Sequence, residues 1–294
     1  MAEPITVAVR RGDTVEARHV VHAVAVRGGA VVAEAGDGGL VTFMRSAAKP
    51  IQALPVARVR SDLDDRELAI ASASHQAEPE QIGAVRSLLA KAPAQEDELE
   101  CGAEGEPPSP IRHNCSGKHA GFLALSRAMG WDSRGYRLPG HPVQQAMLAE
   151  VAAAAGVQEG EIPTAVDGCG VVNFALPLER MAYAYSRFEE LEGGLRVAGA
   201  MRAHPTLIRG AGAPDTVLME TQPGWIAKGG AEGLLCAAGP GGLGVALKVA
   251  DGGARAVGPA VAAFLAHLGS PLEALATSPV ENSLGEIVGV IRAD

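Results

Sequence analysis

The sequence predicts an α+β fold: an antiparallel sheet built from both ends of the chain, with a helical lobe inserted between. Short Val-rich runs punctuated by Gly turns fill the first 43 residues and return after residue 225. Between them, from 46 to about 199, the apolar pattern is mostly helical. At 294 residues, 47% apolar and 20% charged, the chain has ample material for a buried core. Strands at the two ends can share one sheet. The expected layout is therefore one domain over 1–294, with a sheet lobe at about 1–45 and 215–294 and a helical lobe at about 46–214.

The elements follow in order. Runs 5–9, 17–26 and 30–35 read as strands, with Arg27-Gly28-Gly29 a hairpin turn. Asp64-Asp65-Arg66-Glu67 opens a helix with acidic residues in its first turn, where they complement the dipole. Residues 78–91 form a second helix closed by Pro93, and 95–110, dense in Glu, Gly and Pro, a loop. Segments 116–129 and 143–155 are helices ended by Gly130 and Gly156. A short strand at 162–166 precedes a helix at 176–190. Strands at 225–230, 234–238 and 243–249, a helix at 254–268 and a final strand at 286–291 complete the chain.

Charge and hydropathy narrow the function classes. Against 34 acidic residues stand 25 basic ones, a net charge of −9, so neither nucleic acid nor an anionic membrane is an expected partner. There is no apolar run near the ~18 residues a membrane span needs. The N-terminal apolar stretch of five residues is too short for a secretory signal. The expected location is the cytoplasm.

Arg outnumbers Lys 20 to 5, which makes each lysine informative. Chemistry that needs a neutral amine cannot use arginine, whose guanidinium stays protonated. In Arg45-Ser46-Ala47-Ala48-Lys49-Pro50 a Ser and a Lys stand three apart at a helix start, the Ser-x-x-Lys arrangement of penicillin-recognising enzymes. Chance supplies about 0.2 such pairs at this composition, so its place after the N-terminal strands adds more than the motif alone. Ser72-Ala73-Ser74-His75 reads as a turn or cap, or as a source of a second hydroxyl. Lys228-Gly229-Gly230 reads as a Gly-rich hairpin, or as a lysine on a strand edge where glycines admit a substrate. Three elements in the same chain order as in those enzymes are far less frequent by accident than any one.

The cysteines are Cys101, Cys115, Cys169 and Cys236. A reducing compartment disfavours disulfides. His113-Asn114-Cys115-Ser116-Gly117-Lys118-His119 places Cys and Lys three apart at a helix entry, and Asp167-Gly168-Cys169-Gly170 follows the short strand. Spacing alone leaves both cysteines between buried small hydrophobes and a catalytic Cys with a neighbouring His. Cys101 and Cys236 read as structural.

Together these motifs resemble the thermolabile, rhizobial-type L-asparaginases, the asparaginase II-like family, over nearly the whole chain. Members have a serine-β-lactamase-like fold. The resemblance implies that Ser46 pairs with Lys49 and Ser74 with Lys228. It implies a zinc ion (Zn2+) held by Cys115, Lys118 and Cys169, with Arg45, Asp167 and His119 as substrate-binding residues. It also implies a homodimer. One departure is Gly170-Val171-Val172-Asn173, which lacks the proline expected soon after the cysteine.

The expected function is hydrolysis of L-asparagine to aspartate and ammonia by a lysine-activated serine, with Ser46 favoured as nucleophile and Ser74 its competitor. The rivals are a serine amidohydrolase acting on glutamine, a lactam or a peptide, and a non-catalytic amide-binding relative. Lysines kept beside their serine or cysteine partners in an Arg-rich chain argue against the last.

Overall fold

The computed structural model describes residues 3–294. Alternating Val and polar residues give β1 (Ile5–Arg11) and β2 (Thr14–Arg27), and the Gly28-Gly29 turn returns the chain as β3 (Ala30–Ala35). β4 (Val41–Phe43) then leads into the helical lobe: α1 (Lys49–Val59), α2 (Asp65–Ala71), α3 (Pro79–Lys91), α4 (Ser116–Met129) and α5 (Pro142–Ala155). β5 (Thr164–Val166) and β6 (Val172–Pro177) follow, then α6 (Leu178–Ser186), α7 (Gly194–Ala203), α8 (Pro205–Ile208) and α9 (Pro214–Thr221). The chain finishes with β7 (Ile226–Gly230), β8 (Leu234–Gly239), β9 (Leu243–Val249), α10 (Val257–His267), β10 (Thr277–Glu281) and β11 (Ile287–Ala293).

The two ends do meet in one antiparallel sheet, ordered β10-β11-β1-β2-β9-β8-β7 with β3 added on β2. β2 is its spine. Its first half pairs with β1 (Ile5 opposite Val21) and its second half with β9 (Val21 opposite Val249) and β3 (Ala23 opposite Ala35). β9 is buried at every residue, the pattern of a strand covered on both faces. α6 packs on β9, β2 and β8, and α10 on β1 and β11.

Several local readings are seen directly. Asp64 caps α2 in a reciprocal box with Glu67, whose buried carboxylate also meets Lys91 at the end of α3 at 2.6 Å. Gly130 and Gly156 end α4 and α5 in the left-handed conformation.

Three features differ from expectation. The helix expected at 176–190 begins only at Leu178, because Leu176 and Pro177 finish β6 and a 3-10 turn, Phe188–Glu190, replaces its end. A proline disfavours helix at the residue before it, which keeps Leu176 in the strand. β4, β6 and β5 form a small second sheet that brings residues 41–43 against 172–177. β10 was not anticipated; it is an edge strand that tolerates Pro279. Among the described residues no helix is long and apolar enough to cross a membrane.

Gly244 of β9 sets how closely α6 approaches the sheet. A Cβ there would lie 2.3 Å from the Ser186 amide nitrogen and would overlap the Ala182 carbonyl. Gly244→Ala is expected to push α6 off the sheet and cost roughly 1–3 kcal/mol. Thermal denaturation checks this; an unchanged Tm would show that α6 adjusts freely.

Candidate active site

The site is assembled at the junction of the two sheets with the helical lobe. Arg45 begins a 3-10 turn, Arg45–Ala48, that runs directly into α1. Its φ of 48° is a left-handed conformation that costs a non-glycine residue about 1–2 kcal/mol. The surroundings over-determine it. The Met44 and Arg45 amides donate to Phe174 O (2.8 Å) and Asn173 Oδ1 (3.1 Å), both on β6. The Arg45 guanidinium donates to Asp167 at 2.7 Å. Tyr185 of α6, fully buried, donates its hydroxyl to Ala47 O at 2.8 Å. Strain held in place by neighbours is a mark of functional segments.

This turn delivers Lys49 into the interior, where it is 1% exposed. Its amine donates to Ala73 O (2.6 Å) and to Ser74 Oγ (2.9 Å). The lysine of the Ser46 element thus hydrogen-bonds Ser74, in the next element. Ser46 itself is half-buried, one turn upstream of Lys49. Burial lowers the Lys49 pKa, and the ammonium of Lys118 reinforces the shift against the opposing pull of the Cys115 thiolate.

Ser74 is fixed by its neighbours. Its amide donates to Ile208 O at 2.8 Å, and the His75 amide to Asn114 O at 3.1 Å. The His75 ring accepts from the Ala77 amide at Nδ1, so its Nε2–H donates to Ser116 Oγ at 2.7 Å. Burial pushes the His75 pKa down to about 4, helped by Lys49, so the ring is neutral. Gly117 lets the first turn of α4 approach the end of α2: a Cβ there would overlap the Ile70 carbonyl oxygen. The glycine of the Asn-Cys-Ser-Gly-Lys-His motif is therefore a packing requirement that seats this motif beside Ser74.

Cys115, Lys118 and Cys169 do converge. Cys115 precedes α4, Lys118 lies one turn along it, and Cys169 sits in the tight turn between β5 and β6. Lys118 donates to Cys169 Sγ at 3.1 Å. A hydrogen bond from Cys169 holds Cys115 well below the usual thiol range; the same bond and burial push Cys169 up. Burial works against the Lys118 ammonium, but the Cys169 and Cys115 sulfurs outweigh it and the net direction is upward. Among the described residues no three His, Cys, Asp or Glu side chains form a metal-holding group, so the set reaches three donors only through the Lys118 amine. Two thiols and an amine, buried and within hydrogen-bond reach, are donor types that suit zinc.

Lys228, on edge strand β7, is 0% exposed. Its amine donates to Gly229 O at 2.8 Å and lies 3.6 Å from Asp215 at the start of α9. Its hydrogen-bond and ion-pair partners are therefore Gly229 and Asp215, and Ser74 is bonded by Lys49 instead. Burial drives its pKa down to about 7, opposed by Asp215 and reinforced by Lys49 and Arg209. Asp215, buried and accepting from the Gly229 amide at 2.9 Å, was missed in the sequence because an Asp after Pro214 reads as an ordinary helix start. Asn173 and Tyr185 were missed likewise; neither belongs to a recognisable motif.

His119 stands behind the site. It is fully buried, its ring at 5.5 Å from Tyr136 and 6.1 Å from Phe122, with Nδ1 2.8 Å from the Tyr136 hydroxyl. In this position it supports α4, and its Nε2 has no partner among the described residues. A cleft of about 240 Å³ opens beside Arg45 and Asp167, lined also by Phe43, Gly168 and Glu232. A larger one, about 580 Å³, lies between β1 and the end of α10, away from this chemistry.

Comparison with known proteins adds the following. No curated protein matches the chain. Two solved structures are similar to it at low identity. A β-lactamase from Mycobacterium bovis has 15% identity and a TM-score of 0.39, covering 85% of this chain and 95% of its own. The simvastatin synthase of Aspergillus terreus has 11% identity and a TM-score of 0.36, covering 84% and 88%. The profile of the L-asparaginase II family matches residues 7–293. That span takes in Ser46, Lys49, Ser74, Lys228, Cys115, Cys169 and all the strands but the first two residues of β1, and the chain belongs to the L-asparaginase II family of amidohydrolases.

Proposed function

We propose that the protein hydrolyses L-asparagine to aspartate and ammonia, with Ser46 as nucleophile and Lys49 as its base. The Lys49 amine carries this reading. A neutral amine has two N–H bonds and one lone pair. Ala73 O and Ser74 Oγ take the two N–H groups at 2.6 and 2.9 Å, which leaves the lone pair for another hydroxyl. Ser46, one turn upstream in a strained segment, is the serine for that role. Its oxygen attacks the side-chain amide carbon as its proton passes to Lys49. Ser74 relays that proton to the departing nitrogen, ammonia leaves, and water then hydrolyses the aspartyl ester. The Arg45–Asp167 pair orders the substrate at the mouth of the cleft.

Cys115, Lys118 and Cys169 would hold a zinc ion, which supplies Lewis acidity and a fixed positive charge that orders the substrate's polar ends. The active form is a homodimer in this reading, which light scattering checks.

Ammonia release from asparagine against glutamine tests the reaction: asparagine is the expected substrate, and a preference for glutamine moves the protein to the rival specificity. Ser46→Ala should abolish both ammonia release and the covalent intermediate seen by mass spectrometry, with the fold intact. Ser74→Ala should slow turnover by about 10²-fold or more. If Ser46→Ala keeps most of its activity, the nucleophile is Ser74.

Lys228 sets the expected pH dependence. Its pKa is lowered, so its charge is present below about 7 and gone above it. A neutral Lys228 removes a positive charge from the site that Lys49 shares. kcat/KM should therefore rise as pH passes upward through about 7, then level off. Lys228→Arg stays charged throughout and should lose both the limb and the activity. A wild-type profile flat from pH 6 to 8 would assign Lys228 a purely structural role.

Elemental analysis should find about one zinc per chain, lost in Cys115→Ala and in Cys169→Ala. Metal-free protein with reduced cysteines would reject the site.

A further inference from the structure

The charges of the site leave one of them unassigned. Arg45 is paired with Asp167 at 2.7 Å. Lys118 is held by the cysteine sulfurs, and Lys228 faces Asp215 at 3.6 Å. Arg209 is different: among the described residues it makes neither an ion pair nor a side-chain hydrogen bond. It is half-buried all the same.

Its place is well defined. Arg209 directly follows Ile208, whose carbonyl accepts the Ser74 amide at 2.8 Å. The next residue, Gly210, has φ of 112° and packs on Gln76, where a Cβ would lie 3.0 Å from the side-chain amide carbon. The guanidinium reaches over β7 at Gly229: its Nη1 lies 3.0 Å, and Asp215 Oδ2 3.2 Å, from where a Gly229 Cβ would sit. An always-charged fork thus stands between the Ser74 segment and the Lys228 strand, over a residue with no side chain to cover it. Guanidinium geometry matches a carboxylate bidentately.

We propose that Arg209 is a substrate-binding residue that receives the α-carboxylate of the amino-acid amide. The assignment rests on the reading of the substrate as a free amino-acid amide. Asparagine brings one carboxylate into a site whose other cations are neutralised or driven toward the neutral form. The carboxylate on Arg209 holds the molecule by the end that does not react and leaves its amide for the serines. Simple amides without that carboxylate forgo the contact.

Two substrates and two variants test this. The second substrate is 3-aminopropanamide, which is asparagine with its carboxylate replaced by hydrogen. Arg209→Gln should raise KM for asparagine about 10²-fold with a much smaller change in kcat, and Arg209→Lys should fall between. Turnover of 3-aminopropanamide should be the same in wild type and Arg209→Gln. Calorimetry of L-aspartate binding should show the same loss of affinity in Arg209→Gln without reference to turnover. An unchanged KM and aspartate affinity would overturn the assignment, as would an equal loss on both substrates, which marks a structural role. If wild type releases no ammonia from asparagine, the proposed reaction fails, and the aspartate titration still decides the role of Arg209.

Discussion

The structure depends on three lysine amines buried within one site. Lys49, Lys118 and Lys228 are 1%, 3% and 0% exposed, and the one carboxylate paired with any of them is Asp215. An unpaired ammonium in a protein interior costs several kcal/mol, so such groups are paired or give up the proton. Here the two outcomes are divided among the three. Cysteine sulfur provides a counter-charge that favours the Lys118 ammonium; a bound metal would displace that proton. Lys49 and Lys228 are driven toward the neutral amine. Arginine could do none of this, which gives the scarcity of lysine in the chain its physical meaning.

Holding two amines near neutrality demands a dry, rigid wall, and the fold supplies it through close backbone approaches. Gly117 brings α4 onto α2, and Gly244 brings α6 onto β9. α6 in turn holds the turn carrying Ser46 through Tyr185. On the other side, β6 grips Arg45 through Asn173 and Phe174. The small sheet β4-β6-β5 therefore does more than cover the helical lobe. It joins the Arg45 turn to the Asp167–Cys169 turn, so one framework positions the Arg45–Asp167 ion pair and the Cys169 thiol.

Much of this was legible in the sequence. The strand-rich ends, the capped helix at Asp64 and the Gly-ended helices all carry local signals, and the structure keeps them. Lys49 stands out by residue type and spacing, Ser74 and the Cys115–Lys118–Cys169 set by the family resemblance, and the structure brings them together. What was not legible is long-range. Whether Lys49 turns toward Ser46 or Ser74 depends on where α2 ends relative to α1, which no spacing encodes. Asp215 and Arg209 lie in a Gly- and Pro-rich stretch without periodicity, and matter only because that stretch folds back over Gly229. β4 was hidden for another reason: three residues are too few to show alternation.

The Ser74 segment and the Cys115 loop are parts of one mechanical unit. Ser74 is followed by His75, whose amide binds Asn114 and whose ring binds Ser116. These two residues flank Cys115, the donor next to Lys49. Because the Ser116 hydroxyl donates to Ile111 O at 2.8 Å, the chain of bonds has a single direction, from the His75 ring through Ser116 into the loop before α4. A neutral His75 is required for Nδ1 to accept from the Ala77 amide, which fixes the proton on Nε2, and burial lowers its pKa to about 4. A change in the donors at Cys115 would thus reach Ser74 through hydrogen bonds of fixed polarity. It would also reach Lys49 directly through the charge on sulfur.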